Sequence, residues 1–410
     1  MENILDRFLR YVAVDTQSDD AAECQPSTAK QFDLQRLLLA ELQAMGIEVE
    51  VDEYGYLMAS IPSNVENNEI PAIGFIAHVD TSPDCSGKDV KPRIIEDYDG
   101  KDIVLNKEKN IILAVDKFPE LKQYRGNTII TTDGTTLLGA DDKAGIAAIM
   151  YALSYITTHP EMPHGDIKVA FTPDEEVGRG TEHFDVAKFA AKYAYTIDGG
   201  EVGELEYENF NAASAKIVVQ GQNIHPGYAK NKMINALCVA MEINNMLPQN
   251  QRPENTEGYE GFYHLTDLEG TVERATMHYI IRDHDSDLFE QKKKNITKIV
   301  ADLNEKYGSN TITLHIKDSY YNMKHRVEPH IHIVHKAMEA MKRCGVTPKV
   351  KPIRGGTDGA ALSYKGLPCP NIFAGGHNFH GRYEYLPLQS MQKAAEVIIK
   401  IIELFVEEYK

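Results

Sequence analysis

The sequence predicts an α/β fold: a mixed sheet sandwiched by helices, interrupted by a small inserted ferredoxin-like α+β domain. Three observations lead there. Helical and strand-like periodicities alternate through the first half of the chain, as they do in layered α/β domains. The pattern changes to a βαββαβ-like order over residues 209–325. It then reverts, so that 1–208 and 326–410 read as one domain and 209–325 as an insertion. With 410 residues, the chain has room for two domains at roughly 100–200 residues each.

The elements follow from local chemistry. Ile4, Leu5, Phe8, Leu9 and Val12 recur at helical spacing, and a second helix is expected over 28–45, where Gly46 supplies the left-handed stop. Runs rich in β-branched residues at 47–51 and 56–61 read as strands, and the apolar run 72–79 as a strand buried on both faces. A strand over 128–131, a helix over 142–156 and strands over 167–172 and 193–197 continue the alternation. The insert offers a strand at 215–220, a helix at 230–246, a strand at 271–281, a helix at 286–307 and a strand at 311–316. That is one strand short of the full βαββαβ order. A helix over 329–343 and a strand over 371–374 resume the first pattern.

Composition narrows the function. Apolar residues make up 42% and charged residues 25%, which fits a globular chain and neither a disordered nor a fibrous one. A formal net charge of −18 repels phosphate backbones and anionic lipid, so neither nucleic acid nor membrane is an expected partner. No run approaches the ~18 apolar residues of a membrane span, and the acidic start Met1-Glu2-Asn3-Ile4 lacks the basic and apolar regions of a secretory signal. Cys24, Cys85, Cys238, Cys344 and Cys369 are odd in number and widely spaced, without a CxxC pair. They suit a reducing cytoplasm and give neither a disulfide framework nor a thiolate metal site.

Chemistry gathers at the expected strand ends. In Ala77-His78-Val79-Asp80, alternation puts His78 and Asp80 on one face, the arrangement of a metal-binding imidazole oriented by a carboxylate. A strand-end histidine bonded to a neighbouring acid is the plainer reading. Leu138-Gly139-Ala140-Asp141-Asp142-Lys143-Ala144-Gly145 carries two acids into the start of a helix, where helix capping would also explain them. Phe171-Thr172-Pro173-Asp174-Glu175-Glu176 sets three acids directly after a strand, and their repulsion calls for a cation unless they are exposed. Asp198 before Gly199-Gly200 is another strand-end acid, and the glycine-rich loop Gly375-Gly376-His377-Asn378-Phe379-His380-Gly381 offers two competing histidines. Each signal alone is weak. Five of them at strand ends, in the α/β part of the chain and not in the insert, point to one site. Carboxylates and imidazoles without thiolate suit zinc, with Mn2+ or Co2+ as substitutes.

The set His78-x-Asp80, Gly139-Ala140-Asp141-Asp142-Lys143-Ala144-Gly145, Asp174-Glu175-Glu176, Asp198-Gly199-Gly200 and His380, in this order, resembles the M20 metallopeptidase family. Gly221-Gln222-Asn223-Ile224-His225-Pro226-Gly227, Arg354-Gly355-Gly356-Thr357-Asp358-Gly359 and Gly375–Gly381 narrow the likeness to its branch that takes the N-terminal residue from short peptides, chiefly tripeptides. The resemblance implies two Zn2+ ions per subunit. His78 and Asp198 would hold one, Glu176 and His380 the other, and Asp141 would bridge them, with a cis peptide to Asp142. It makes Asp80 the orienting partner of His78 and Glu175 the general base that activates water. It makes the α/β domain catalytic and the insert a lid with homodimer contacts.

For His225 the plain reading is an exposed loop histidine; the resemblance makes it an oxyanion donor that acts on lid closure. Arg282 and Arg354 would pair with surface acids or, as bidentate forks, hold the terminal carboxylate of a short peptide. Carboxypeptidases, dipeptidases and N-deacylases of the same family share the metal constellation and are the nearest rivals. A non-catalytic metal- or peptide-binding protein on the same fold is a further one, disfavoured because binding alone requires no base at Glu175.

Overall fold

The computed structural model describes residues 2–66 and 69–408. The chain separates into two compact units: Met1–Tyr207, His325–Lys351 and Thr357–Lys410 form the first, Glu208–Lys324 and Pro352–Gly356 the second.

The first unit is built on an eight-stranded mixed sheet. Its strands lie side by side in the order Glu48–Val51, Leu57–Ile61, Ile167–Thr172, Ile73–His78, Tyr193–Gly199, Asn371–Phe373, Glu204–Glu206 and Lys349–Val350. The central strands Ile167–Thr172, Ile73–His78, Tyr193–Gly199 and Asn371–Phe373 run parallel, Leu57–Ile61 pairs antiparallel with Ile167–Thr172, and Glu48–Val51 pairs antiparallel with Leu57–Ile61. Ile73–His78 is buried at every position, as a strand covered on both faces must be, and its unbroken apolar run is the sequence trace of that cover. The expected α/β class and mixed sheet therefore hold.

Helix Ala140–Thr158 lies against this strand and against helices Ile4–Val12 and Leu388–Glu407. It also lies against Tyr193–Gly199, where small residues permit the approach: a Cβ on Gly145 would stand 2.0 Å from the Ile197 carbonyl oxygen. Helix Gln31–Ala44 is followed by Gly46 at φ +75°, the expected left-handed stop.

One expectation is corrected here and one element is added. The strand expected over 128–131 leaves the main alternation: Ile129–Thr131 is the middle strand of a separate three-stranded sheet, between Arg93–Ile95 and Tyr385–Pro387. Three residues are too few for periodicity to show which sheet they join. The long amphipathic helix Leu388–Glu407, which closes the described chain, is an element the sequence reading did not include.

The second unit contains Asn211–Gln220, Ala236–Met246, Phe262–Gly270, Arg274–Asp283, Ser286–Tyr307 and Ile312–Tyr320, a complete βαββαβ order. Its four antiparallel strands lie in the order Phe262–Gly270, Arg274–Asp283, Asn211–Gln220, Ile312–Tyr320, which is the ferredoxin-like arrangement. One buried cluster, including Ile217, Val219, Met277, Ile281, Phe289 and Ile299, joins the sheet to both helices. Helix Ala236–Met246 begins later than the expected residue 230 because Asn235 caps it, accepting the backbone N–H groups of Leu237 and Cys238. Residues 352–356, expected with the first domain, cluster with this unit: Ile353 N donates to the Glu208 carbonyl at 2.8 Å. Among the described residues, no helix is long and apolar enough to cross a membrane.

Candidate metal centre

The parallel strands deliver their C-terminal ends to one place, where α/β sheets gather ligand-binding groups. His78 ends Ile73–His78, Glu176 follows Ile167–Thr172, Asp198 lies one residue before the end of Tyr193–Gly199, and His380 lies in the loop after Asn371–Phe373. Asp141 joins them from the start of helix Ala140–Thr158. There the backbone is not yet helical: Asp141 has φ −83° and ψ 106°, Gly139 has φ +82°, and the Asp141–Asp142 peptide is cis.

Two groups of side chains result, with the donor atoms of each within 4.8 Å of one another: His78, Asp141 and Asp198, and Asp141, Glu176 and His380. His78 Nε2 is 2.8 Å from Asp141 Oδ1 and 3.5 Å from Asp198 Oδ1. His380 Nε2 is 3.3 Å from Asp141 Oδ2 and 2.9 Å from Glu176 Oε2. Asp141 thus offers one oxygen to each group.

The donors fit a pair of divalent cations. Glu176 Oε1 is buried without a hydrogen-bond partner, an arrangement that costs about 1–3 kcal/mol or more unless a cation answers it. Burial, and then the facing charge of Asp141, pushes Glu176 up to about 8 and Asp198 up to about 6. Hydrogen bonds to Asp141 and Glu176 push His380 up to about 11. Burial disfavours charge on His78 and Asp141 as well, yet their neighbours of opposite charge outweigh it, raising the imidazole and lowering the carboxyl. These carboxylates crowd together only by taking up protons or cations, and carboxylate oxygen with imidazole nitrogen is a donor set for zinc, manganese or cobalt.

Around these five, neighbours fix the geometry. Asp80 is fully buried; its carboxylate lies 3.3 Å from His78 Nδ1, and its backbone oxygen lies 3.1 Å from the same nitrogen. Of the three acids after Ile167–Thr172, Asp174 turns inward at φ +57° and accepts from Ser27 N, Ser27 Oγ and Gln31 Nε2. Glu176 joins the second group. Glu175 belongs to neither, and burial followed by the charge of Asp198 holds its carboxyl well above the usual range. Asp198 is positioned through its N–H to Asn371 Oδ1 at 3.1 Å, and Gly199 lets the strands close: a Cβ there would stand 2.9 Å from Phe373 Cα.

The two loop histidines separate. His377 Nε2 is 2.6 Å from the Tyr124 hydroxyl and its ring stacks on Tyr385, and burial pushes it down to about 4. His380 is the one that meets the carboxylates.

The remaining candidates lie in the second unit. His225 is exposed, and its Nδ1 accepts the Gly227 N–H at 3.2 Å. Arg354 donates to the carbonyls of Thr256, Gly258 and Glu260 and to Thr256 Oγ1, with its guanidinium 5.1 Å from the Phe210 ring centre. Arg282 donates one Nη1 bond to the Arg354 carbonyl, and its Nε is buried without a partner.

Sequence reasoning missed Glu384. Its carboxylate accepts backbone N–H groups of Leu138, Gly139 and Asp141. An isolated acid between Tyr383 and Tyr385 carries no local signal of that role; its position four residues after His380 is the only pointer.

Residues 131–404 match Peptidase family M20/M25/M40. A protein named Peptidase T from Alkaliphilus oremlandii is 62% identical over 407 residues, covering 99% of this chain and 100% of its own. An aminopeptidase structure from Bacillus cereus superposes with a TM-score of 0.78 at 23% identity, and a tripeptidase structure from Staphylococcus aureus with 0.79 at 22%. Each covers 98% of both chains. With the family signature over residues 131–404 and a full-length relative at 62% identity, the chain belongs to peptidase family M20/M25/M40.

Proposed function

We propose that this protein is a two-metal aminopeptidase, removing the N-terminal residue from short peptides, chiefly tripeptides, with zinc as its metal. The observation that carries the reading is the pair of donor groups sharing Asp141. His78 and Asp198 would hold one ion, Glu176 and His380 the other, and Asp141 would serve both. When bound, such a pair would lower the pKa of water and stabilise charge developing on the peptide carbonyl oxygen.

Every other task falls to the chain's own residues. Asp80 orients His78. Glu175 is free of both donor groups, and the family resemblance gives it the task of taking the proton of the attacking water and passing it to the leaving amine. His225 as oxyanion donor and Arg282 and Arg354 as carboxylate forks extend the reading on the strength of the family resemblance. The names of the relatives favour aminopeptidase over carboxypeptidase, dipeptidase or N-deacylase, and the five free cysteines suit a reducing cytoplasm.

The test uses protein reconstituted with metal and di-, tri- and tetrapeptides of one composition, each free and N-acetylated. The reading expects fastest release of the N-terminal residue from the free tripeptide and none from acetylated substrates. Cleavage of the acetylated peptides at their C-terminus, or removal of the acetyl group, replaces it with one of the rivals.

A further inference from the structure

We infer that Glu384 is the positioning residue for Asp141, holding the backbone from which that carboxylate reaches both donor groups. Glu384 is 1% exposed. Its Oε2 accepts from Leu138 N at 2.6 Å and from Gly139 N at 2.8 Å, and its Oε1 from Asp141 N at 3.1 Å. One carboxylate thereby satisfies three donors at the mouth of helix Ala140–Thr158.

Those donors have no other ready partner. Leu138 and Gly139 lie ahead of the helix, Asp141 lies in its first turn, where N–H groups lack intrahelical acceptors, and Gly139, at the N-cap position, has no side chain to supply one. The backbone here is held rather than self-sustaining, with Gly139 left-handed and Asp141 and Asp142 outside helical geometry. Asp142 anchors the far side: its Oδ2 accepts from His78 N at 3.3 Å and its Oδ1 from Gly145 N at 3.2 Å. Glu384 anchors the near side. It also belongs to the segment that carries His380, since Glu384 N donates to the Gly381 carbonyl at 3.1 Å. The same carboxylate therefore ties the Asp141 loop to the His380 loop and sets the spacing between the shared ligand and one outer ligand.

This inference rests on the two-metal reading, and the experiment separates the two. Metal-free wild-type, Glu384→Gln, Glu384→Ala and Glu41→Gln proteins are titrated with Co2+, followed by visible absorption, with thermal unfolding recorded in parallel. Glu41 lies in a network with Arg7, Arg10 and Tyr11, so its variant reports on lost stability alone. The wild type takes up two equivalents. Both Glu384 variants bind ~10–100-fold more weakly, the scale for partners that orient ligands. Glu384→Gln gives no rescue, because its single acceptor oxygen faces three N–H groups that two oxygens now share. Glu41→Gln melts earlier and binds Co2+ as the wild type does.

Wild-type affinity and stoichiometry in folded Glu384→Gln overturn the inference and leave the two-metal reading standing. Uptake of less than two equivalents by the wild type overturns that reading and this inference with it. Should the Glu384 variants not fold, amide hydrogen exchange in the metal-free wild type decides. Protection at Leu138, Gly139 and Asp141 matching that of the helix interior is expected. Open-loop exchange there, gaining protection only with Co2+, overturns the assignment.

Discussion

One oxygen of the Asp80 carboxylate accepts the backbone N–H of Glu175 at 3.0 Å. The other accepts that of Glu176 at 3.2 Å, while the same carboxylate faces His78 Nδ1. One buried acid thus aligns an imidazole and clamps the turn that carries the proposed base and a proposed ligand. Asp80→Asn keeps the size but turns an amide N–H toward one of those two backbone donors. We expect a loss of ~10–100-fold in metal affinity and a comparable fall in kcat. Unchanged kcat in metal-loaded Asp80→Asn would show that neither task matters.

Glu175→Gln and Glu175→Ala are expected to fold and to keep both metals, because Glu175 stands outside both donor groups. Their kcat should fall by at least ~10²-fold, the lower end for removing a general base. Metal analysis beside steady-state kinetics checks both halves. Near-normal turnover removes Glu175 from the mechanism.

Chelation should abolish activity, and Zn2+, Mn2+ or Co2+ should restore it. His78→Ala and His380→Ala each remove a ligand from one group, whereas Asp141→Ala removes one from both, so metal content should drop furthest in Asp141→Ala. His377→Ala is the contrasting case. Its loss breaks the contact with Tyr124 and the stack on Tyr385, lowering the melting temperature while metal stoichiometry stays near two. Two metals retained in Asp141→Ala would refute the shared ligand.

Metal uptake should release protons. In the metal-free site the facing carboxylates raise His78 and His380 and burial raises Glu176, so at pH 7 the site holds protons that coordination must displace. Affinity for the metal therefore rises with pH and falls as the solution is acidified. Calorimetric titration at pH 7 in buffers of different ionisation enthalpy should show net proton release on metal binding. No buffer dependence would contradict it.

The two arginines of the second unit should part company. Arg354 spends its donors on the carbonyls of Thr256, Gly258 and Glu260, so Arg354→Ala should loosen that loop and lower stability, with lysine a poor substitute for the planar fork. Arg282 has a buried Nε without a partner and makes a single bond through Nη1. It is the better candidate for a substrate carboxylate. Arg282→Ala should raise KM for a free tripeptide and leave KM for its C-terminal amide nearly unchanged. Equal effects on both substrates would rule out that contact.

Burial on both faces made the central strands legible, because it leaves a continuous apolar run: Ile167–Thr172 is read from the sequence with the bounds it has in the fold. Phe262–Gly270 was not legible for the opposite reason. It is an edge strand exposed along most of its length, and its residues alternate weakly. In the site, the acids and histidines at strand ends announce themselves because such charge is out of place there. Residue chemistry alone left His377 and His380 level and only the family resemblance favoured His380, since both sit in one glycine-rich loop and the tertiary neighbour, Tyr124 or Asp141, is what separates them. Glu384 and the second task of Asp80 were hidden for the same reason. Their partners are backbone N–H groups 243 to 246 and 95 to 96 residues away, and an N–H looks alike in every residue but proline.

The division of the chain also limits how it can be engineered. The second unit is entered at Glu208, left at Lys324, and visited again by Pro352–Gly356, so the chain passes between the units four times. Excising residues 208–324 and sealing the gap would leave those five residues behind. Ile353 would lose the Glu208 carbonyl, and Arg354 would lose every acceptor it has between Thr256 and Glu260. A clean excision needs a second cut at 352–356, and a transplant of the insert onto another scaffold needs that short segment supplied as a separate piece.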